Sequence, residues 1–183
     1  MNAGDEKTSE KKKKLQYRLG LVFLGLCVFW LITTLTETDL LAVGTEAPKW
    51  SLVRAGENRA KLALGDLKGK VVVLDFWSIS CPPCVREVTE LQAISQRFGE
   101  RDVAVVGVAA WGETMAELRE FKKQRKLGYR LLVGEDRTVA AYKATTLPTL
   151  YIIDQDGVIV TAHQGFMPRG DIVEVIQQLL DKP

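Results

Sequence analysis

The stretch that decides the fold reads Val71-Val72-Val73-Leu74-Asp75-Phe76-Trp77-Ser78-Ile79-Ser80-Cys81-Pro82-Pro83-Cys84. Its first seven residues are mostly β-branched, apolar or aromatic, which is typical of a strand buried within a covered sheet. After Cys84, apolar side chains recur at every third position between polar ones, at Val85, Val88, Leu91 and Ile94. This spacing predicts an amphipathic helix that has Cys81 at its N-terminus and Cys84 in its first turn.

Two cysteines at this spacing can close into a disulfide and open again, which predicts thiol-disulfide exchange. The N-terminus of a helix favours a thiolate over a thiol, so we expect Cys81 to be the nucleophile and Cys84 the resolving thiol. If Cys81 is the N-cap, Pro82 and Pro83 follow it without N–H groups, and the Cys84 N–H becomes the main donor to the thiolate. A thiolate with so little stabilisation indicates a reductant.

A structural disulfide and half of a zinc site are the alternatives to redox chemistry. Zinc usually takes four ligands, whereas the other candidates are Cys27, in an apolar segment, and His163, which has no partner at ligand spacing. We therefore expect no metal and no cofactor. Charge is nearly balanced, with 25 basic and 23 acidic residues, so no basic excess points to a nucleic-acid partner.

The N-terminal part of the chain differs in composition from the rest. Residues 1–14 are polar and contain four consecutive lysines, and residues 19–35 carry no charge. This apolar run predicts a transmembrane anchor over residues 19–36. By the positive-inside rule, residues 1–18 are then a cytoplasmic basic tail, and the rest of the chain faces the periplasm or cell exterior of a bacterial inner (cell) membrane. A cleaved signal peptide is the alternative, because it combines the same two features.

Residues 37–43 are predicted to be a linker, and residues 44–183 are enough for one domain with its own core. We predict further strands at 50–53, 61–64, 103–109, 129–133, 150–153 and 158–164, and further helices at 114–126 and 171–180. The residues 154–157 (DQDG) predict a hairpin between the last two strands. Strands that alternate with helices before a hairpin and a closing helix indicate an α/β sheet covered on both faces.

Four segments carry a resemblance to a known family: residues 44–52 (GTEAPKWSL), 67–77 (LKGKVVVLDFW), 81–87 (CPPCVRE) and 146–157 (TLPTLYIIDQDG). In these segments the sequence resembles membrane-anchored thioredoxin-like thiol-disulfide oxidoreductases of the TlpA/ResA/CcmG type. The resemblance implies a thioredoxin fold, in which helices flank a central mixed sheet, with an N-terminal β-hairpin extension behind a single transmembrane helix. The chain departs from the family at Ser80, where a tryptophan usually forms a flat hydrophobic rim beside the first cysteine.

The resemblance also implies roles for residues outside the cysteine pair. Pro148 matches a proline held cis against the disulfide, and Leu147 before it would offer backbone hydrogen bonds to an extended substrate peptide. Asp75 matches the buried acid of thioredoxin, and Glu87 matches the acidic residue of the anchored subfamily. Each is a candidate for transferring the proton of Cys84, and both can act.

These features predict a membrane-tethered enzyme that takes electrons from a membrane thiol carrier and reduces disulfides in client proteins. The resemblance makes apocytochrome c one candidate client. The alternatives are an oxidase or isomerase of secreted proteins, and a tethered peptide-binding module with an inert disulfide. A peroxidase is a further alternative, because Ser78 lies three residues before Cys81 as a hydroxyl residue does in peroxiredoxins, although Leu74 replaces the proline expected upstream.

Overall fold

The computed structural model describes residues 18, 20–28, 30, 40–56, 60–99 and 102–182, and the chain divides into two units, residues 1–39 and 40–183. In the first unit, residues 20–28 are helical. Among the described residues, no helix combines the length and the apolar character needed to cross a membrane. Two predicted segments lie partly outside the described residues. These are the cytoplasmic tail, up to residue 17, and the anchor, at residues 19, 29 and 31–36.

The second unit begins with the predicted β-hairpin extension. Strands β1 (Ser51–Val53) and β2 (Lys61–Ala63) pair antiparallel, and residues 57–59 between them lie outside the described part of the chain. The second strand stops one residue earlier than predicted, because Leu64 opens a 3₁₀ turn that runs to Leu67. Asp66 caps this turn by accepting a hydrogen bond from the Ala63 N–H at 2.8 Å.

A five-stranded mixed sheet forms the centre of this unit. Its strands are β3 (Val71–Trp77), β4 (Val103–Ala109), β5 (Arg130–Val133), β6 (Thr149–Ile153) and β7 (Ile159–Gln164), in the spatial order β5-β4-β3-β6-β7. The strands β3, β4 and β5 are parallel, and β6 and β7 each run antiparallel to their neighbour. Every residue of β3 and β4 is buried, so the sheet is covered on both faces, as predicted.

Four helices accompany the sheet: α1 (Pro82–Phe98), α2 (Met115–Gln124), α3 (Asp136–Ala141) and α4 (Arg169–Leu180). The helix α1 packs against β4 and α4, and α4 also contacts β3. The helix α2 begins after Thr114, whose hydroxyl and the Glu117 carboxylate form a capping box. It ends before the predicted residue 126, because Lys126 takes a left-handed conformation with φ of 51°.

The register of the sheet determines which segments meet at its edge. Phe76 of β3 lies opposite Thr149 of β6, so the residue before β6 lies beside the carboxyl end of β3. That residue is Pro148, and the peptide bond between Leu147 and Pro148 is cis, as the resemblance predicted. The loop from β3 to α1 and the loop before β6 therefore meet at the same end of the sheet, where the carboxyl end of β3 lies.

Candidate active site

Cys81 and Cys84 form a disulfide at the N-terminus of α1, with an S–S distance of 2.05 Å. Cys81 is the N-cap, and its sulfur accepts a hydrogen bond from the Cys84 N–H at 3.3 Å, as predicted. Pro82 and Pro83 occupy the first two helical positions and have no N–H to donate. Cys84 is fully buried while Cys81 is 5% exposed, so an incoming sulfur reaches Cys81 first.

The loop that leads from β3 to Cys81 is held by hydroxyl groups and by a carboxylate. The hydroxyls of Ser78 and Ser80 lie 2.9 Å apart, and the Ser78 carbonyl accepts a hydrogen bond from the Cys81 N–H at 3.2 Å. The Glu113 carboxylate accepts one hydrogen bond from the Ile79 N–H at 3.0 Å and one from the Trp111 N–H at 3.1 Å. Glu113 thus ties the loop before Cys81 to the loop after β4.

Sequence reasoning missed Glu113. The available signal was its place four residues beyond the end of β4, because the carboxyl ends of neighbouring parallel strands meet at one end of a sheet.

A cavity of about 480 Å³ lies beside the loop before Cys81, and its lining includes Ile79, Ser80, Trp111, Glu113 and Phe121. The Trp111 side chain is 57% exposed, so the structure offers an aromatic surface near the position where Ser80 replaces the family's tryptophan.

Two buried carboxyl groups, Asp75 of β3 and Glu87 of α1, form what we call the carboxyl pair. Burial raises the pKa of Asp75 well above its ordinary value, and the charge of Glu87 raises it further. Burial also raises the pKa of Glu87 to about 7, against the opposing effect of a hydrogen bond from the Met167 N–H at 3.0 Å. The two groups therefore titrate together.

The carboxyl pair is connected to the disulfide through α1 and β3. Glu87 follows Cys84 by three residues, so the two lie one above the other on the buried face of α1. Asp75 lies on β3, six residues before Cys81. The structure thus brings both predicted proton-transfer candidates into one buried cluster behind the cysteines.

Leu147 and Pro148, the predicted substrate-binding residues, are buried beside the carboxyl end of β3. The Pro148 carbonyl accepts a hydrogen bond from the Gly165 N–H at 2.8 Å, which joins this loop to the residue after β7. No group of three or more candidate metal ligands occurs in the part of the chain that the structure describes. The site brings together two sulfurs and two carboxyl groups.

Comparison with known proteins supports this chemistry. The model of the AhpC/TSA family matches residues 43–162. The thiol-disulfide oxidoreductase ResA of Bacillus subtilis (strain 168) is 28% identical over 167 residues, which cover 89% of this chain and 92% of that protein.

Two solved structures resemble the described fold. A protein of Chlorobium tepidum described as a thiol:disulfide interchange protein DsbE aligns with a TM-score of 0.65 and 26% identity, covering 76% of this chain and 96% of its own. The exposed lipoprotein thioredoxin Etrx1 of Streptococcus pneumoniae (strain TIGR4) aligns with a TM-score of 0.63 and 25% identity, covering 72% of this chain and 100% of its own. With its buried cysteine pair at the start of α1, the chain belongs to the AhpC/TSA family and is a thioredoxin-like thiol-disulfide oxidoreductase of the ResA/DsbE type.

Proposed function

We propose that this enzyme reduces disulfides in extracytoplasmic client proteins. The observation that carries the proposal is the environment of the Cys81 sulfur, to which the Cys84 N–H donates while Pro82 and Pro83 donate nothing. Because strongly oxidising disulfides owe their potential to a stabilised reduced form, a thiolate with one local donor favours a reductant.

In the proposed reaction, the Cys81 thiolate attacks one sulfur of the client disulfide, so a Cys81–client bond forms while the client S–S bond breaks. The second client sulfur leaves as a thiolate and takes up a proton. The Cys84 thiolate then attacks the Cys81 sulfur, which closes the Cys81–Cys84 disulfide and releases the first client sulfur. Two electrons pass to the client, and a membrane thiol carrier restores the enzyme dithiol.

The carboxyl pair supplies the base for the second step. Cys84 is fully buried, so its proton needs a buried acceptor rather than solvent. Glu87 lies one helical turn away and has a pKa raised to about 7, which matches the pH at which a general base works well. In the same proposal, the loop at Leu147 and Pro148 binds the client as an extended peptide beside Cys81.

The proposed location is the outer side of a bacterial cell membrane, with an anchor over residues 19–36. The uncharged run and the lysines before it support this arrangement. One structural relative is described as an exposed lipoprotein, which is consistent with a domain that works outside the cytoplasm. Apocytochrome c is a candidate client, because its haem-attachment motif is itself a CxxC-type dithiol.

A direct test of the direction compares two reactions of the full-length protein. We expect the reduced enzyme to reduce a disulfide-containing client quickly, and the oxidised enzyme to oxidise the dithiol form of that client slowly. The Cys81→Ser variant should lose both reactions. Faster oxidation than reduction would contradict the proposal and support an oxidase.

The remaining alternatives give different results. A Cys81→Ser, Cys84→Ser double variant that keeps full activity in cells would show a peptide-binding module with an inert disulfide. Rapid consumption of peroxide that survives the loss of Cys84 would show a peroxidase. Clients can be identified with Cys84→Ala, which should hold them as mixed disulfides on Cys81 for mass spectrometry.

A further inference from the structure

Buried polar atoms without a hydrogen-bond partner gather around the carboxyl pair. Among the described residues these atoms include both carboxylate oxygens of Asp75, Oε2 of Glu87, Nε1 of Trp77 and the hydroxyl of Tyr129. Each of these four residues is at most 1% exposed. Buried polar groups in native proteins almost always have a partner, so a cluster with this much unused bonding capacity requires an explanation.

The backbone of β4 explains how the aromatic groups approach the carboxyl pair. Gly107 lies opposite Asp75 in the parallel register of β3 and β4. A Cβ atom at position 107 would lie 2.9 Å from Nε1 of Trp77 and 3.3 Å from Cε2 of Tyr129. Any larger residue would fill the space into which the indole N–H and the phenol ring extend. The glycine therefore makes room for the Trp77 indole N–H and the Tyr129 ring beside the buried acid.

The unused groups are complementary. The Tyr129 hydroxyl and the Trp77 indole can each donate a hydrogen bond, and the free carboxylate oxygens of the pair can accept them. A polar site lined by several donors and acceptors is one that ordered water occupies in folded proteins. We propose that Tyr129 is a positioning residue for the carboxyl pair, and that its phenol and the Trp77 indole hold the pair through a hydrogen-bond network completed by internal water.

The electrostatic surroundings agree with this role. Burial raises the pKa of Tyr129 well above its ordinary value, and the charges of Asp75 and Glu87 raise it further, so the phenol keeps its proton and acts as a donor. Among the described residues, the Met167 N–H also faces the network, where it donates to Glu87. The Lys122 ammonium donates to the Tyr129 carbonyl at 2.7 Å.

The network affects the protonation of the carboxyl pair. The link between this effect and catalysis rests on the proposed function. A donor that bonds the charged form of an acid lowers the pKa of that acid. Removing the Tyr129 hydroxyl should therefore raise the pKa values of the pair and move the onset of Cys84 deprotonation to higher pH. The Tyr129→Phe variant removes this hydroxyl while keeping the buried ring.

The test is a ¹³C NMR titration of the Asp75 and Glu87 carboxyl carbons in the oxidised full-length protein, without any client. We expect both apparent pKa values to rise by about one pH unit in Tyr129→Phe, the effect of losing one hydrogen bond to a charged group. The matched control is Tyr142→Phe, because Tyr142 is also buried but donates to the Pro48 carbonyl at 2.7 Å. This control should titrate like the wild type, and a Tyr129→Phe titration that does so would overturn the proposal.

A second measurement on the wild-type protein covers the case in which Tyr129→Phe folds poorly. The network predicts a magnetisation-transfer signal between long-lived water and the Trp77 Nε1 proton, and the absence of that signal would overturn the proposal.

The pH profile of client reduction separates this inference from the proposed function. A shifted carboxyl titration with an unshifted rate profile supports the network and contradicts the proton-transfer role of the pair.

Discussion

Cys81 and Cys84 differ in the solvent and in the hydrogen bonds that each can reach. Cys81 retains a small exposed surface and accepts the Cys84 N–H, whereas Cys84 is fully enclosed. In an N-capped helix, the N–H groups of the second and third helical positions are those that reach the cap. Pro83 occupies the second helical position, so one of the two usual donors to the Cys81 sulfur is missing.

The proline at this second position should therefore control the redox potential. Pro83→Ala restores an N–H that can donate to the Cys81 thiolate, and a hydrogen bond to a charged group is worth about 1.5 to 3 kcal/mol. We expect the potential to rise by roughly 30 to 60 mV, measured by equilibration with a glutathione buffer. Pro82→Ala is the matched control and should change the potential less, because the first helical N–H does not point at the cap. Equal shifts in the two variants would contradict this account.

At the scale of secondary structure elements, the site depends on two loops that follow neighbouring parallel strands. Glu113 joins them by accepting hydrogen bonds from the backbone of Ile79 and of Trp111. The bond to Ile79 is partly buried and the bond to Trp111 is exposed, so the first contributes more to holding the loop before Cys81. The sheet itself does not depend on this contact.

Loss of this carboxylate should loosen the loop without unfolding the domain. We expect Glu113→Ala to speed hydrogen exchange of the Ile79 amide by roughly fivefold, because one net hydrogen bond is worth about 1 kcal/mol. The exchange of β3 amides should stay unchanged. Glu120→Ala is the control, since Glu120 lines the same cavity but bonds the Gln124 side chain. Unchanged exchange at Ile79 would show that Glu113 does not hold the loop.

The same elements show what could be predicted from the sequence. The bounds of β3 and β4 were predicted correctly, because each is a mostly apolar run that is buried along its whole length. The helix α3 was missed, because it has six residues and Thr138 is its only buried one among them, too few for a periodic pattern. The predicted start of α4 was two residues late, because Arg169 and Gly170 precede its first buried residue.

The residues of the candidate site could likewise be predicted only in part. The cysteines and their N–H donor could be predicted because the chemistry of a helix N-terminus is local. The place of Glu113 after β4 was a signal for its role, but its contacts and those of Tyr129 depend on how separate strands align. The parallel register that places Gly107 opposite Asp75 has no local sequence signal.

For the whole molecule, the carboxyl pair makes stability depend on pH. The pKa of Glu87 is raised in the folded state, so its contribution is most favourable below the unfolded pKa of about 4.5 and is lost as the pH rises through about 7. Each pH unit across this window is worth about 1.4 kcal/mol, so the full effect is of the order of 3 kcal/mol.

Removing this charge should stabilise the protein only at the higher pH. We expect Glu87→Gln to match the wild type in its free energy of unfolding near pH 4 and to exceed it by about 2 to 3 kcal/mol at pH 8, measured by denaturant unfolding of the oxidised form. Glu90→Gln is the control, because Glu90 lies on the same helix in a partly exposed ion pair with Arg169 at 3.4 Å. A gain for Glu87→Gln that is equal at both pH values would contradict a buried, titrating carboxylate.

The central claim, that the molecule works as a reductant through Cys81 and Cys84, is tested most directly by the redox potential of the full-length protein. The measurement equilibrates the Cys81–Cys84 pair with a thiol-disulfide buffer and follows the fraction reduced. We expect a potential near that of thioredoxin, about −270 mV, or lower. A potential near −120 mV, in the range of a strong oxidant, would contradict it.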